Sequence, residues 1–171
     1  MPSSQRSRIT AATDFVYGRM RHGDAWSSAT AQPLPPERGF ESLRNHKYCL
    51  LTTFRRSGEP VPTPVWFGLA DGKGYFRTEA GVGKVKRIRN DPRVRVAPCT
   101  LRGRPLGPPA EGRARVLGAE DSERAERAIA ANYGLVRKLY EGIGNRFSSI
   151  DQVYIEIAPP SPAEVAPPDA T

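Results

Sequence analysis

The sequence predicts a mainly β fold with helices, an α+β protein built on a small antiparallel barrel or split barrel of six strands. Short runs rich in β-branched and aromatic residues are separated by turns that contain glycine and proline. Asp71-Gly72-Lys73-Gly74 is a strong hairpin signal between two such runs. Hairpin-connected strands with few helices favour a barrel over a sheet with alternating helices.

Each predicted strand is a short run with strand-forming composition or alternating polarity, bounded by turn residues or a helix. The six predicted strands cover 48–54, 61–69, 75–78, 93–100, 111–117 and 151–157. Three helices are predicted, over 37–47, 83–90 and 121–140, and Gly134 is the weak point of the last one. The helix over 83–90 is strongly basic, with its apolar residues three apart on one face.

The chain of 171 residues is long enough for one domain with a real core. Residues 1–36 are polar and end in a proline-rich run, so we expect an extended or partly disordered segment. Residues 37–158 form the predicted domain, and the proline-rich residues 159–171 a disordered tail. Neither an apolar run of membrane-spanning length nor a signal-peptide core occurs, so we expect a cytoplasmic protein without membrane contact.

The net charge of +8 and the pI near 9.9 indicate a negatively charged partner. Nucleic acid, membrane headgroups and a phosphorylated or polycarboxylate small molecule all meet this requirement, and charge alone does not choose among them. The strongest concentration of positive charge lies in residues 77–104, around the predicted basic helix. A strand wall beside such a helix is suited to docking a flat, anionic molecule.

Several catalytic chemistries lack their sequence motifs. Phosphate-loop, dinucleotide, zinc-protease and serine-hydrolase patterns are not found. The two histidines, His22 and His46, supply little for a triad or a metal cluster. Cys49 and Cys99 lie in strand-like runs without metal-ligand spacing and are predicted to be buried thiols. We therefore predict no metal site and expect an enzyme of this kind to depend on a cofactor.

Alternate prolines mark the second strand, at Pro60, Pro62 and Pro64. Proline cannot donate to a strand ladder, so this strand is predicted to be an edge strand bonded on one side only. Its other side is expected to offer carbonyl groups, and the amides of Val65 and Trp66, to a ligand.

Thr78, Lys84 and Arg87 form the best candidate site. Lys84 and Arg87 are three residues apart on the predicted helix and point to one region of space. Lysine binds phosphate as a point charge, whereas arginine can bond two of its oxygens at once. An ordinary solvated basic helix would have the same composition, so charge alone does not establish the site.

Residues 40–158 resemble the deazaflavin (coenzyme F-420)-dependent oxidoreductases, which belong to the pyridoxamine 5'-phosphate oxidase-like superfamily of FMN-binding split barrels. The most specific part is TEAGVGKVKRIRNDP, from Thr78 to Pro92. The resemblance implies an FMN-binding split-barrel type of fold and a homodimer with a cofactor cleft at the subunit interface. The arginine-rich, tyrosine-containing signatures with which pyridoxamine-phosphate oxidases hold FMN are not seen, and this favours the deazaflavin.

The resemblance also implies a set of site residues. The cofactor ring would lie along the second strand, at Pro62, Thr63, Pro64, Val65 and Trp66. The phosphate would be bound by Thr78, Lys84 and Arg87. Arg55 and Arg56 are candidate contacts for the glutamate tail, although solvated turn charges are an equal explanation. Tyr48, Trp66 and Tyr133 are candidates for shaping the substrate side.

Four functions remain open on the sequence. The first is an oxidoreductase that passes a hydride between coenzyme F-420 and a small organic substrate, with no catalytic side chain assigned. The second is an FMN-dependent oxidase or flavin reductase, and the third is a non-catalytic carrier of a cofactor or haem. A basic nucleic-acid-binding barrel is the least favoured, because the strands lack a regular display of aromatics for base stacking.

Overall fold

The computed structural model describes residues 23–144 and 151–161. Within these ranges, the chain forms one seven-stranded antiparallel sheet that curls into a split barrel. The strands are β1 (Tyr48–Phe54), β2 (Pro60–Trp66), β3 (Gly68–Ala70), β4 (Lys73–Glu79), β5 (Arg93–Cys99), β6 (Ala110–Val116) and β7 (Gln152–Ala158). The α-helical segments are α1 (Ser27–Thr30), α2 (Gly83–Asn90) and α3 (Ala119–Gly144). The predicted mainly β split-barrel class is confirmed.

The strand order is β2-β1-β5-β6-β7-β4-β3, which places β2 and β3 at the two edges. These two strands are consecutive in sequence, so the chain itself closes the ring where it passes through Phe67. The prediction of a single strand over 61–69 is wrong on this point. The first half of that stretch pairs with β1, and the second half pairs with β4.

Helix α3 supplies hydrogen-bond partners for the backbone groups of Phe67, at the break between β2 and β3. The Phe67 N–H donates to the Tyr133 hydroxyl at 3.1 Å, and the Phe67 carbonyl accepts from the Asn132 amide at 2.9 Å. Gly68 is required immediately after the break, because a Cβ there would lie 2.1 Å from the Ala128 carbonyl oxygen. Helix α3 is thus fastened directly to the position where the barrel changes strand partners.

The core lies mostly inside the barrel. Inward-facing residues such as Leu51, Phe76 and Ile155 are fully buried there. Helix α2 adds Ile88 at one mouth of the barrel, and a turn containing Leu43 closes the opposite mouth. Two smaller apolar clusters cover the outer face, one beneath α3 and one beneath the N-terminal helical segment.

The predicted helix over 37–47 is not formed. Two short 3-10 turns, Pro36–Arg38 and Glu41–Leu43, take its place. Gly39 and Asn45 adopt positive φ angles of 48° and 65°, which a right-handed helix does not accommodate. By contrast, the basic helix has the predicted bounds, and α3 loses helical geometry at Gly134, where φ is 52°.

Within the segment predicted to be extended, the described residues from Gly23 onward include short helical turns. Gly23–Trp26 is a 3-10 turn that leads into α1, and Ala25 and Ala29 are buried. Arg95 donates from Nη1 to the carbonyl of Ala29 at 2.6 Å, which ties this segment to the sheet. The remaining predicted segment, residues 1–22, and most of the predicted tail, residues 162–171, lie outside the described residues. In the described part of the chain, no helix is both long and apolar enough to cross a membrane.

Candidate functional site

A slot runs between two strand edges that approach each other without a ladder in the described structure. One side is the outer edge of β2, which pairs only with β1. The other side is Phe76–Glu79, the half of β4 that extends past β3 and pairs only with β7. We call this gap the slot. Helix α2 begins four residues after β4 and lies at one end of it.

The β2 edge presents acceptors to the slot. Proline has no N–H to donate to β1, and β2 has proline at 60, 62 and 64. The hydrogen-bonded pairs between β1 and β2 therefore involve the residues of β2 that alternate with these prolines. The proline carbonyls therefore point away from β1. Val65 lies opposite Cys49 and is one of the alternate β2 residues whose backbone bonds to β1. Its side chain is buried in the core. Its amide is thus directed to β1 and does not face the slot, contrary to the sequence-based expectation.

The structure brings Thr78, Lys84 and Arg87 together at the α2 end of the slot. The Lys84 ammonium donates to Thr78 Oγ1 at 3.1 Å across the turn between β4 and α2. Arg87 folds back along the first helical turn, so that a Cβ on Gly83 would lie 2.9 Å from its Nη1. Lys84 and Arg87 flank the apolar face of α2, where Val85 and Ile88 are buried. Both cations are therefore partly buried beside the core.

A fourth residue at this site was missed from the sequence. Arg87 Nε donates to Thr53 Oγ1 at 2.7 Å, and Thr53 is fully buried on β1. The Thr53 hydroxyl also lies 3.5 Å from the Val61 carbonyl of β2. Strand alternation places Thr53 on the inward face, but only the fold shows that this face meets α2. The site therefore rests on β1, β4 and α2 together.

Arg55 and Arg56 lie at the tip of the β1–β2 hairpin. Arg55 forms an exposed ion pair with Glu59 at 3.1 Å. Arg56 Nε donates to Asn90 Oδ1 at 3.0 Å, which links the hairpin tip to the last residue of α2. An exposed basic strip thus continues from α2 to the hairpin, although Glu59 offsets the charge of Arg55.

Tyr48, Trp66 and Tyr133 are gathered into one aromatic cluster. Trp66 and Tyr133 stack with ring centroids 4.8 Å apart, and Tyr48 meets Trp66 edge-on at 6.3 Å. The Tyr133 hydroxyl accepts from Phe67 N–H and donates to the Lys47 carbonyl. Burial is the main cause that raises the pKa of Tyr133 to about 12. This cluster packs beneath α3, where it supports the barrel closure.

The two cysteines are buried free thiols, as predicted. Burial is the main cause that raises the pKa of Cys99 to about 12, and the pKa of Cys49 is also raised well above its ordinary value. Neither thiol is poised for nucleophilic chemistry at neutral pH. No group of three or more potential metal-ligating side chains occurs among the described residues.

The fold and site define a split barrel with an open slot and a basic helix at one mouth. The chain belongs to the pyridoxamine 5'-phosphate oxidase family, whose model matches residues 36–156. None of the curated proteins matches this sequence.

Solved structures share the fold at low sequence identity. A FAD-binding protein from Mesorhizobium loti has a TM-score of 0.52 and 16% identity, and the match covers 77% of this chain and 92% of that one. HutZ, a haem storage protein from Vibrio cholerae, has a TM-score of 0.51 and 16% identity, and the match covers 76% of this chain and 92% of that one. The conserved hypothetical protein Rv2991 from Mycobacterium tuberculosis has a TM-score of 0.50 and 18% identity, and the match covers 82% of this chain and 86% of that one. At these identities the matches establish a common fold only.

Proposed function

We propose that this protein is an oxidoreductase that binds coenzyme F-420 in the slot, with the cofactor phosphate at the first turn of α2. The observation that carries the proposal is the pairing of Lys84 with Thr78 and of Arg87 with Thr53 at the end of the slot. Two cations from one helical turn, each held by a hydroxyl on a different strand, form a preorganised anion site. The net charge of +8 attracts an anionic ligand to it.

The donor set suits a phosphodiester. Lys84 offers a compact ammonium and Arg87 a planar guanidinium, the two cations that proteins use most for phosphate oxygens. Thr78 and Thr53 direct these side chains and give no negative charge that would compete with the ligand. Arg56, Lys86 and Arg89 extend the positive surface along α2 and suit the glutamate tail of coenzyme F-420.

The slot edge also favours a deazaflavin over a flavin. Along the run from Pro60 to Pro64 the edge offers carbonyl acceptors and no N–H donors, and the first N–H of the same parity is that of Trp66, at the end of β2. A flavin ring presents the N5 atom as an acceptor, which loses a hydrogen bond where it faces a proline. A 5-deazaflavin has a C–H group at this position and therefore loses nothing.

When bound, coenzyme F-420 supplies the chemistry by carrying a hydride to or from a small organic substrate. The residues of this chain bind the phosphate, line the slot and exclude water from the ring. The β2 carbonyls orient the ring from one side. The function requires no acid or base from this chain, and we assign none.

We further propose that the cofactor cleft is completed in a homodimer. Among the described residues, the three large apolar side chains most exposed to solvent are Trp26, Leu101 and Leu106. The turn of Trp26 packs near β2, and the loop of Leu101 and Leu106 lies over Leu50 and Pro64 on the outer face of the β1–β2 pair. An apolar patch beside the slot edge fits a second copy of the chain. Sedimentation of a Leu101→Ser, Leu106→Ser variant tests this, and an unchanged dimer mass would contradict the assignment of this face.

A flavin is the second candidate cofactor. The similar structure from Mesorhizobium loti is named as a FAD-binding protein, and the Lys84–Arg87 site would also accept a flavin phosphate. A haem carrier is the third, because the similar HutZ structure is named as a haem storage protein. Titration with each cofactor distinguishes the three.

The experiment is a calorimetric titration of the purified protein with coenzyme F-420, FMN and haemin in parallel. We expect saturable F-420 binding that weakens about tenfold or more in Lys84→Ala, the loss expected for one charge-assisted contact. Arg127→Ala is the matched control, because it also removes one positive charge, from an exposed pair with Glu123 on helix α3. Preferred binding of FMN or haemin, or no binding, would reject the F-420 proposal.

A further inference from the structure

A second concave site lies at the other mouth of the barrel. It is a pocket of about 370 Å³ between the turn that precedes β1 and helix α3. We propose that this pocket binds a small organic carboxylate with an apolar body. The site is independent of the slot and of the proposed cofactor.

The floor of the pocket is apolar and reaches into the barrel core. Leu43 and Phe67 are only 2% and 3% exposed, and Ala128 is 5% exposed, yet all three line the pocket. Leu69 is partly buried beside them. These three side chains expose little surface themselves, so a ligand here gains mainly van der Waals contact with them and with the more exposed Leu69 and Ala131. A hydrocarbon or aryl group makes such contacts without leaving a polar group unpaired.

The rim carries positive charge without a balancing acid. Arg44, Asn45 and His46 line the opening, and neither aspartate nor glutamate occurs among the described lining residues. The Arg44 side chain is exposed, and no described residue pairs with its guanidinium. A guanidinium beside an apolar cavity matches a carboxylate head group, which it can bind through two parallel hydrogen bonds.

The rim is hydrogen-bonded to helix α3. The Asn132 amide nitrogen donates to the His46 carbonyl at 3.1 Å and to the Phe67 carbonyl at 2.9 Å. Asn45 holds a left-handed φ of 65°, a conformation that is uncommon for residues other than glycine. This turn sets Arg44 and His46 on the same side of the opening. Preorganisation of this kind lowers the ordering cost of binding.

The pocket and the slot site lie at opposite ends of the barrel. Leu43 and Arg44 precede the first residue of β1, whereas Thr53 and Arg87 meet at its last residues. A strand of this length spans about 20 Å. A carboxylate in the pocket therefore does not compete for the cations of α2, and the two sites are separable by mutation.

The test is a calorimetric and ligand-observed NMR titration of the full chain with octanoate, beside octanol as a neutral probe of the same length. We expect saturable octanoate binding, with octanol and the Arg44→Gln variant each about tenfold weaker, as for loss of one charge-assisted contact. Arg104→Gln is the matched control, since Arg104 is exposed and lies outside the pocket. Ala131→Phe changes an exposed helix position on the pocket wall and should block binding while leaving the fold intact.

Three results would overturn the proposal. One is the absence of saturable octanoate binding to the unmodified protein. Another is equal affinity for octanol, which would reduce the pocket to an unspecific apolar surface. The third is octanoate binding that survives both Arg44→Gln and Ala131→Phe. Lys84→Ala should retain octanoate binding whether or not coenzyme F-420 binds, so a failure here is distinguishable from a failure at the slot.

Discussion

Arg87 Nε donates to Thr53 Oγ1 at 2.7 Å, which couples a helix at the mouth of the barrel to a buried hydroxyl on β1. The bond determines where the guanidinium lies, because a long side chain on a helix surface otherwise samples several rotamers. Thr53 is therefore a positioning residue for the proposed phosphate site, and it reaches the ligand only through Arg87.

Thr53→Val should weaken coenzyme F-420 binding by about fivefold, or about 1 kcal/mol, a modest loss because Thr53 acts on the ligand only through Arg87. The substitution keeps the shape of the side chain and removes the acceptor of Arg87. Thr52→Val is the matched control, because Thr52 is equally buried on the adjacent position of β1 and points to the opposite face. Calorimetry of the two variants measures the difference. Equal affinities would show that Arg87 is positioned by other contacts.

Gly68→Ala should destabilise the protein strongly. The added Cβ would lie 2.1 Å from the carbonyl oxygen of Ala128, and both groups belong to backbone that cannot move aside independently. Overpacking of this kind costs about 1–3 kcal/mol or more in the free energy of unfolding. Gly74→Ala is the control on the neighbouring strand, where the nearest atom is 3.8 Å away. Urea unfolding of both variants checks the prediction, which a smaller loss for Gly68→Ala than for Gly74→Ala would contradict.

Tyr133→Phe should loosen the closure of the barrel at Phe67. The variant leaves the buried Phe67 N–H without the acceptor that it has at 3.1 Å, at a cost of about 1–3 kcal/mol. Tyr48→Phe, in the same aromatic cluster, should cost less because no described residue bonds to its hydroxyl. Hydrogen exchange at the Phe67 amide is the direct measurement, and unchanged protection there would refute the role of the hydroxyl.

The raised pKa of Tyr133 leads us to expect a loss of stability at alkaline pH. Burial raises the pKa of Tyr133 to about 12, whereas an unfolded tyrosine ionises near the ordinary value of about 10. The unfolded state therefore releases its proton first, and this part of the stability declines as the pH rises from 10 toward 12. The stability difference between wild type and Tyr133→Phe should shrink over this range. A difference that stays constant would exclude the linkage.

The sequence predicted correctly those helices and strands whose ends are marked by local residue patterns. The basic helix and the first strand have the predicted bounds because turn residues and apolar spacing define them locally. The split of the 61–69 strand was missed because its cause, the Asn132–Tyr133 pair, lies about 65 residues away in the chain. The helix predicted over 37–47 failed because Gly39 and Asn45 need positive φ angles, which composition did not reveal.

The candidate site likewise contains residues that local sequence patterns predict and residues that only the tertiary fold brings in. Lys84 and Arg87 were predictable from their spacing on one helix, and Thr78 from its position at a strand end. Thr53 and the pocket near His46 depend on which mouth of the barrel each loop covers. That information is tertiary, and no local pattern in the sequence contains it.

Glu156 offers a final prediction, because strand register surrounds this buried carboxylate with donors. It lies opposite Tyr75 on β4 and Arg115 on β6, and it accepts hydrogen bonds from the Tyr75 hydroxyl at 3.2 Å and from Arg115 Nε at 2.9 Å. Lys73 donates to it at 3.2 Å. Burial alone would raise the pKa of Glu156, but the hydrogen bonds and charges of Arg115 and Lys73 outweigh it and lower the pKa.

Glu156→Gln should therefore lower the free energy of unfolding at neutral pH by about 1–3 kcal/mol, since the amide keeps the shape but not the charge. Because the folded pKa is depressed, this stabilisation is present above the ordinary glutamate pKa of about 4.3 and is lost as the pH falls below it. Glu123→Gln, in an exposed pair with Arg127, should change stability by no more than about 0.5 kcal/mol. Urea unfolding from neutral to acidic pH measures both variants. A Glu156→Gln deficit that persisted unchanged in acid would show that packing, and not the carboxylate charge, is responsible.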